Sequence, residues 1–498
     1  MNVNPITRLD YPDPDVIRVE DTYYMVSTTM HFMPGCEILQ SFDLVHWEHV
    51  TYVYETLDHT DAQQLKSGQN IYGQGMWAAS LRYHEGRFYI CFVANDTRKT
   101  YLYTSEKIDG PWKKQLIEGF YHDGSLLFDE DGRNYIVYGN DEIWITELNE
   151  DLTAPKKDGL HRLLVSDHKN PKLGYEGSHI QKINGYYYIF LVHSLRDRWM
   201  RTEACFYSDS LEGEFTGGDV LCDDRGYCGQ GVAQGGIVDT PDGKWYAMLF
   251  QDSGAVGRLP ILLPVTWKDH FPVFGQNGHV PEEIEVHSTR PGYIYQPLVG
   301  SDDFCNGLLP RWQFNHDPDP QYYHLDALQG TYTITTREVC TELTQAVNTL
   351  TQRMSYPSCA AEVTVDASAL KEGDVAGLCA LQGCYAAVGI TKHHGKYEVL
   401  MLDKKEDGIL DMTEGTVVES HQMDFRLEAD FCNMKDEARC YYRVNKGDWL
   451  PIGTVHKLYF KLDHFTGCRF GLFCYAAEET GGSACFRDFK YYDVDEIS

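Results

Sequence analysis

No stretch of about 18 uncharged apolar residues occurs in this 498-residue chain, and its start, MNVNPITRLDYPDPD, has neither a basic n-region nor an apolar h-region. Neither a membrane partner nor export by a signal peptide is expected. Basic charge is scarce: 43 Lys and Arg stand against 74 Asp and Glu, for a formal net charge of -31. That balance opposes binding to phosphate backbones, so a nucleic-acid partner is not expected either. The 15 cysteines contain no Cys-x-x-Cys pair, and their odd number and scatter signal neither a disulfide framework nor a zinc knuckle. They suit a reducing, cytoplasmic setting in which most pack as small buried hydrophobes.

What is present favours packed β structure. Hydrophobic residues make up 43% of the chain and aromatics 13%, enough for large cores, and the length accommodates two large β domains. A short phrase recurs five times, a turn residue followed by aromatic and β-branched residues ending in tyrosine: DTYY (21–24), GRFY (86–89), GRNY (132–135), GYYY (185–188) and GKWY (243–246). The preceding Asp-Gly, Glu-Gly and Asn-Gly pairs supply positive φ for hairpins, so each phrase reads as a turn feeding a buried strand. Five units of this size predict a five-bladed β-propeller, in which radial closure removes bare sheet edges.

Counting back 11 or 12 residues from the five tyrosines gives Asp13, Trp77, Asp123, Glu176 and Gln234. If the blades are equivalent, these positions meet on the propeller axis. Three carboxylates, an indole and an amide do not make a core, because unpaired acids are rarely buried. The repeat ends near Gly300, and the segment 288–300, with two prolines and two glycines, reads as a linker. Beyond it, TYTITT (331–336), AAEVTVDAS (360–368), YAAVGIT (385–391) and YEVLMLD (397–403) predict strands at sandwich-like spacing, with no sustained helical period. The expected architecture is all-β, with a propeller over 1–298 and a β-sandwich over 299–498.

Three acids on one ring suit glycoside hydrolysis, in which one carboxyl group protonates the leaving oxygen while another activates water on the opposite face. Acids on different blades can stand far enough apart to admit that water, which favours inversion. Spacing alone does not order their roles. Glu176 lies in YEGSH (175–179), where Gly177 permits close backbone approach, and Asp13 lies between two prolines that hold the chain stiffly.

Taken together, YPDPD (11–15), MPG (33–35), SFDLVHW (41–47), MWAA (76–79), HDGSLLF (122–128), YEGSH (175–179) and GGIVDTPDGKWY (235–246) resemble glycoside hydrolase family 43. The resemblance implies an exo-acting, inverting propeller for pentose glycosides, β-D-xylosides or α-L-arabinofuranosides, taken from short oligosaccharides. By motif position it implies Asp13 as general base, Glu176 as general acid and Asp123 as the residue that orients the acid and raises its pKa. It also implies Arg258 against sugar hydroxyls, and Trp77 and Phe32 as apolar walls. Where many relatives carry a Gly-His-Gly phrase beside a central calcium, this chain has Ala233-Gln234-Gly235, so a structural calcium rests on what the Gln234 amide can offer. The stretches 311–318 and 348–353 resemble an appended sandwich whose family role is to cover part of the site.

Overall fold

A computed structural model describes residues 3–462 and 464–493. Five antiparallel four-stranded sheets follow one another along the chain, their first strands being Asp15–Val19, Met76–His84, Ser125–Phe128, Glu176–Ile183 and Val232–Asp239. Each tyrosine of the repeated phrase falls in the second strand of its sheet, and the residue two beyond it pairs with Asp15, Ser80, Ser125, His179 or Gly236 on the first strand. The phrase therefore marks the same hairpin in every blade.

Hydrophobic seams between successive blades hold the ring together. Val26, Ile38 and Val53 of blade 1 meet Leu81, Ile90 and Phe92 of blade 2, and Cys91, Leu102 and Ile117 of blade 2 meet Leu126, Ile136 and Leu148 of blade 3. Further seams join blades 3 and 4 through Val137 and Ile189, and blades 4 and 5 through Phe190 and Leu249. Val16, Met25 and Leu39 packing on Val238, Met248 and Leu262 close the circle. The second strand of each blade is thus buried on both faces, which explains the largely apolar runs after each tyrosine.

A polar plug fills the axis. Arg82 donates to Asp15, to Ser125 Oγ and to the carbonyls of Leu126 and Ile180, so one side chain ties together residues of four blades. His179 Nδ1 lies 3.0 Å from the other Asp15 oxygen. Asp15 is fully buried, and although burial raises its pKa, Arg82 and His179 outweigh that and hold it below the ordinary carboxylate value.

The second unit is a sandwich of a seven-stranded and a nine-stranded sheet, with Val363, Phe425 and Phe486 of one packed against Leu378, Val388 and Leu472 of the other. The four strands expected from the sequence appear as Thr331–Thr335, Ser358–Asp366, Tyr385–His393 and Lys396–Lys404. The last propeller strand ends at Phe274 and the first long-sheet strand of the sandwich begins at Gln313, with no strand or helix over 288–300.

The two units interlock. Strand Phe32–Met33, from within the first blade's sequence, pairs with Gln313–Asn315 and so joins the edge of the nine-stranded sheet. Phe32 is consequently buried at the junction under the guanidinium of Arg469, 3.4 Å from its ring centre. Buried Arg353 of the sandwich meets Glu37 at 2.8 Å and donates to the carbonyl of Asp10. Most cysteines are buried, and all 15 are free. Among the described residues no helix is long and apolar enough to cross a membrane.

Candidate active site

At one end of the axis, beside the plug, lies a cavity of about 170 Å³ lined by Asp13, Trp77, Asp123, Glu176, Gln234 and Arg258, together with His122, Leu173, Trp199, Arg201, Leu462 and Phe465. All five ring positions read from the sequence meet there. Phe32 does not line it: its strand is drawn into the sandwich sheet, so the apolar wall expected from it is supplied by Phe465 instead. The space is smaller than the roughly 300–1,000 Å³ of pockets for drug-sized ligands and suits one small, polar ring. A larger cavity of about 410 Å³ opens toward the other end of the inner strands, but its flanking Arg18 and Lys182 are already paired with Asp239 and Asp129.

Local backbone geometry aims the side chains. Asp13, Asp123 and Gln234 have φ of 53°, 48° and 64°, a left-handed conformation that costs most residues energy and recurs at functional sites. In register, the five equivalent positions are Asp13, Ala78, Asp123, Gly177 and Gln234. Trp77 and Glu176 each stand one residue earlier, beside a pairing irregularity between Met76 and Ala79 and between Glu176 and His179. Such bulges re-aim side chains, and the one-residue offset gives Trp77 and Glu176 a count of 12 where Asp13 has 11, whereas Asp123 and Gln234 count 12 because their hairpin loops are longer. Gly177, at φ 67°, cannot be replaced freely, since a Cβ there would stand 2.7 Å from Gln234 Cγ.

Asp13 is fixed by two short contacts, accepting from Thr28 Oγ1 at 2.5 Å and from Arg258 Nη1 at 2.6 Å. Asp252 bridges two buried arginines, at 3.2 Å from Arg258 Nε and 2.9 Å from Arg201 Nε. The guanidinium of Arg258 also lies between the rings of Phe250 and Phe465, 4.5 and 3.9 Å from their centres. Asp123 accepts from the Gly177 N–H at 2.8 Å, and Glu176 from Asn140 Nδ2 at 2.8 Å.

The sandwich contributes Leu462 and Phe465 through one loop, and Asp10 fastens that loop. One Asp10 oxygen accepts from the Arg258 N–H and the other from the Gly467 N–H, both at 2.7 Å. A Cβ on Gly467 would lie 2.0 Å from the Val256 carbonyl oxygen, so the loop follows the fifth blade closely. Phe465 meets Trp77 edge to face at 5.2 Å. The cover expected from the appended domain thus consists of two apolar residues that wall the cavity.

The electrostatics differ from expectation. Burial raises the Asp123 pKa to about 6, aided by Glu176 and Asp13 and opposed by His122. Burial also pushes Glu176 up, but His122, Arg201 and Arg258 outweigh it and hold Glu176 below the usual value. His122 carries the compensating charge: burial lowers its pKa, yet Asp123, Glu176 and Asp13 raise it to about 9. Asp123 and not Glu176 is therefore the carboxyl group pushed up, because Arg201 and Arg258 add to His122 in holding Glu176 down, whereas His122 opposes the rise of Asp123 without them.

The donors around Gln234 fit calcium poorly. Its backbone N–H donates to Glu203 at 2.7 Å, and burial drives the Glu203 pKa well up. Calcium requires six to eight oxygens, and the group of three carboxylates and imidazoles that converges in this cavity is His122, Asp123 and Glu176, without Gln234.

Residues 3–272 match the family of glycosyl hydrolases family 43, and residues 301–492 match the β-xylosidase C-terminal concanavalin A-like domain. The chain belongs to glycosyl hydrolases family 43. Within the family it is 42% identical to a bifunctional GH43-CE protein of Bacteroides eggerthii, with a TM-score of 0.91 over 98% of this chain and 63% of that one. The chain thus spans somewhat under two thirds of that relative's length. It is 27% identical to a β-xylosidase of Formosa agariphila over 99% of this chain and 89% of the relative. It is 26% identical to a non-reducing end α-L-arabinofuranosidase of Bacteroides ovatus over 66% and 63%.

The sequence phrases pointed to six of the cavity's residues and missed the others. His122 stood inside a quoted motif, next to Asp123, where a neighbouring ionisable group was a usable signal. Arg201, Trp199 and Leu173 come from loops and strand ends without repeat position, and Phe465 from a different domain.

Proposed function

We propose that the chain is an inverting, exo-acting glycoside hydrolase that releases terminal α-L-arabinofuranose, β-D-xylose or both from short hemicellulose-derived oligosaccharides, with arabinofuranose somewhat favoured. The observation that carries this reading is the convergence of Asp13, Asp123 and Glu176 on one small cavity closed below by the Arg82 plug. A blind cavity accepts a chain end and excludes a threaded polymer. Trp77, Trp199 and Phe465 offer apolar faces to a sugar ring, while Arg258 and Arg201 offer donors to its hydroxyls. The relatives named for xylose and for arabinose support both sugars, since few contacts separate two pentoses in one pocket.

In this mechanism Asp13, held by Thr28 and Arg258, takes a proton from the attacking water. Glu176 gives a proton to the leaving oxygen, and Asp123, hydrogen-bonded to the backbone beside Glu176, sets its position and charge. Filling the cavity with sugar expels water and favours the neutral carboxyl group that the acid role needs. We place this work in a reducing compartment, on the strength of the 15 free cysteines.

The test is to incubate the protein with aryl α-L-arabinofuranoside, aryl β-D-xyloside and short arabinoxylan oligosaccharides, with Asp13→Asn and Glu176→Gln as controls. Released pentose that is lost in folded controls supports the reading. No release from any substrate refutes it and favours a propeller that binds sugar without cleaving it.

A further inference from the structure

His122 is the one cation in the cavity placed between two of the acids. Its Nε2 lies 3.6 Å from Asp123 Oδ2 and 3.7 Å from Glu176 Oε2, and it is buried without a hydrogen-bond partner. The backbone on either side is pinned: the His122 carbonyl accepts from the Gly139 N–H at 3.0 Å, and Asp123 is locked at positive φ. The ring stands edge to face with Trp77 at 6.0 Å, which restrains its plane. Catalytic hydrogen bonds of this length commonly tighten in the complex with substrate.

We infer that His122 is a positioning residue that stores the proton of the acid step and passes it to Glu176. This rests on the hydrolase reading above. On substrate binding the Nε2 proton of His122 passes to Glu176, and as the glycosidic C–O bond breaks that proton goes to the leaving oxygen, leaving Glu176 ionised and His122 neutral. Neutral His122 then regains a proton from solvent, while Asp13 returns to solvent the proton it took from water. No net proton is consumed, and no oxidant, reductant or metal enters.

The charges acting on this group are Asp123, Glu176 and Asp13, while Arg201 and Arg258 act on Glu176 as well. They favour the ion pair of His122 and Glu176. Expelling water disfavours separated charge and shifts the proton toward Glu176, so substrate itself loads the acid. The high pKa of His122, about 9, keeps the store filled at neutral pH, where a lone carboxylic acid at its ordinary value would be empty.

The experiment compares the full-length protein with His122→Asn and His122→Gln on two substrates of the same sugar. A nitrophenyl glycoside has a leaving group that needs little protonation, whereas an unactivated disaccharide needs a full proton. We expect kcat on the disaccharide to fall by about tenfold or more, within the range for general acid catalysis, and kcat on the nitrophenyl glycoside to change by less than about threefold. The alkaline limb of the disaccharide pH profile should move down by about one pH unit or more. Equal losses on both substrates with an unmoved limb would mean that His122 is a structural counter-ion, and would overturn the inference while leaving the hydrolase reading intact. An inactive wild type overturns both. If neither variant folds, NMR titration of the wild-type imidazole decides: a ring cationic at pH 7 that titrates with the alkaline limb upholds the inference, and a neutral ring at pH 7 ends it.

Discussion

Replacing Asp252 with Asn removes one negative charge from a buried row of alternating charges while keeping shape and one acceptor oxygen. Asp252, Arg201 and Arg258 are all at most 5% exposed, so solvent does little to screen the change. Arg258 keeps its 2.6 Å contact with Asp13, but Arg201 loses its 2.9 Å partner, and its Nη1 already lacks one. The cost is therefore that of one stranded cation, at the low end of the usual range for breaking a buried pair, about 3 kcal/mol. In urea unfolding followed by tryptophan fluorescence, with a slope of about 3 kcal/mol per molar, the midpoint falls by about 1 M.

The pH dependence gives a second handle. Burial raises the Asp252 pKa, but Arg201 and Arg258 outweigh it and hold the folded value below the unfolded one. Stability from this carboxylate is thus fully present above its unfolded pKa of about 3.9 and is lost as pH falls through the lower folded value. The gap between wild type and Asp252→Asn should be full at pH 7 and shrink below about pH 4. A gap under about 1 kcal/mol at pH 7, or one that stays constant on acidification, would refute the charge-row argument.

Other outcomes follow from the same contacts. Phe465→Ala removes the wall that the sandwich supplies and one face of the Arg258 cation–π sandwich, so KM should rise about tenfold, with the propeller transition in unfolding little changed; an unaltered KM would show that the sandwich does not shape the pocket. At the domain junction, His31 and His316 are buried with ring centres 4.9 Å apart, and burial lowers His31 well below its ordinary pKa and His316 to about 3. Because the unfolded chain binds these protons first, stability should fall as pH drops below about 6.5, by about 1.4 kcal/mol per histidine per pH unit. His31→Phe, among Phe32 and Tyr72, should remove its share of that slope in urea titrations at pH 6 and pH 4.5, and an unchanged slope would contradict the assignment.

The repeat was legible because each blade must bury both faces of its second strand, and that demand writes the same tyrosine phrase five times. The ring was legible because the blades share a register, although Trp77 and Glu176 sit one residue off the equivalent position and only bulges bring them back. The interlock of Phe32–Met33 with Gln313–Asn315 was not legible, since two-residue and three-residue strands carry no alternation to read, and this is why Phe32 was expected in the cavity. The charge order was also hidden. A rule that one carboxylate raises its neighbour predicts a raised Glu176, whereas His122, Arg201 and Arg258, two of them strand-end residues on blades 4 and 5, invert the pair. Contacts between elements far apart in sequence decided each of these points.

The most direct test of the central claim is a proton NMR time course of the protein acting on an arabinofuranosyl or xylosyl oligosaccharide, following the anomeric signals from the first minute. The account predicts free pentose released one unit at a time from the non-reducing end, appearing first as the inverted anomer, with no release by folded Asp13→Asn. A first product of retained configuration, internal cleavage products, or undiminished release by the variant would contradict it.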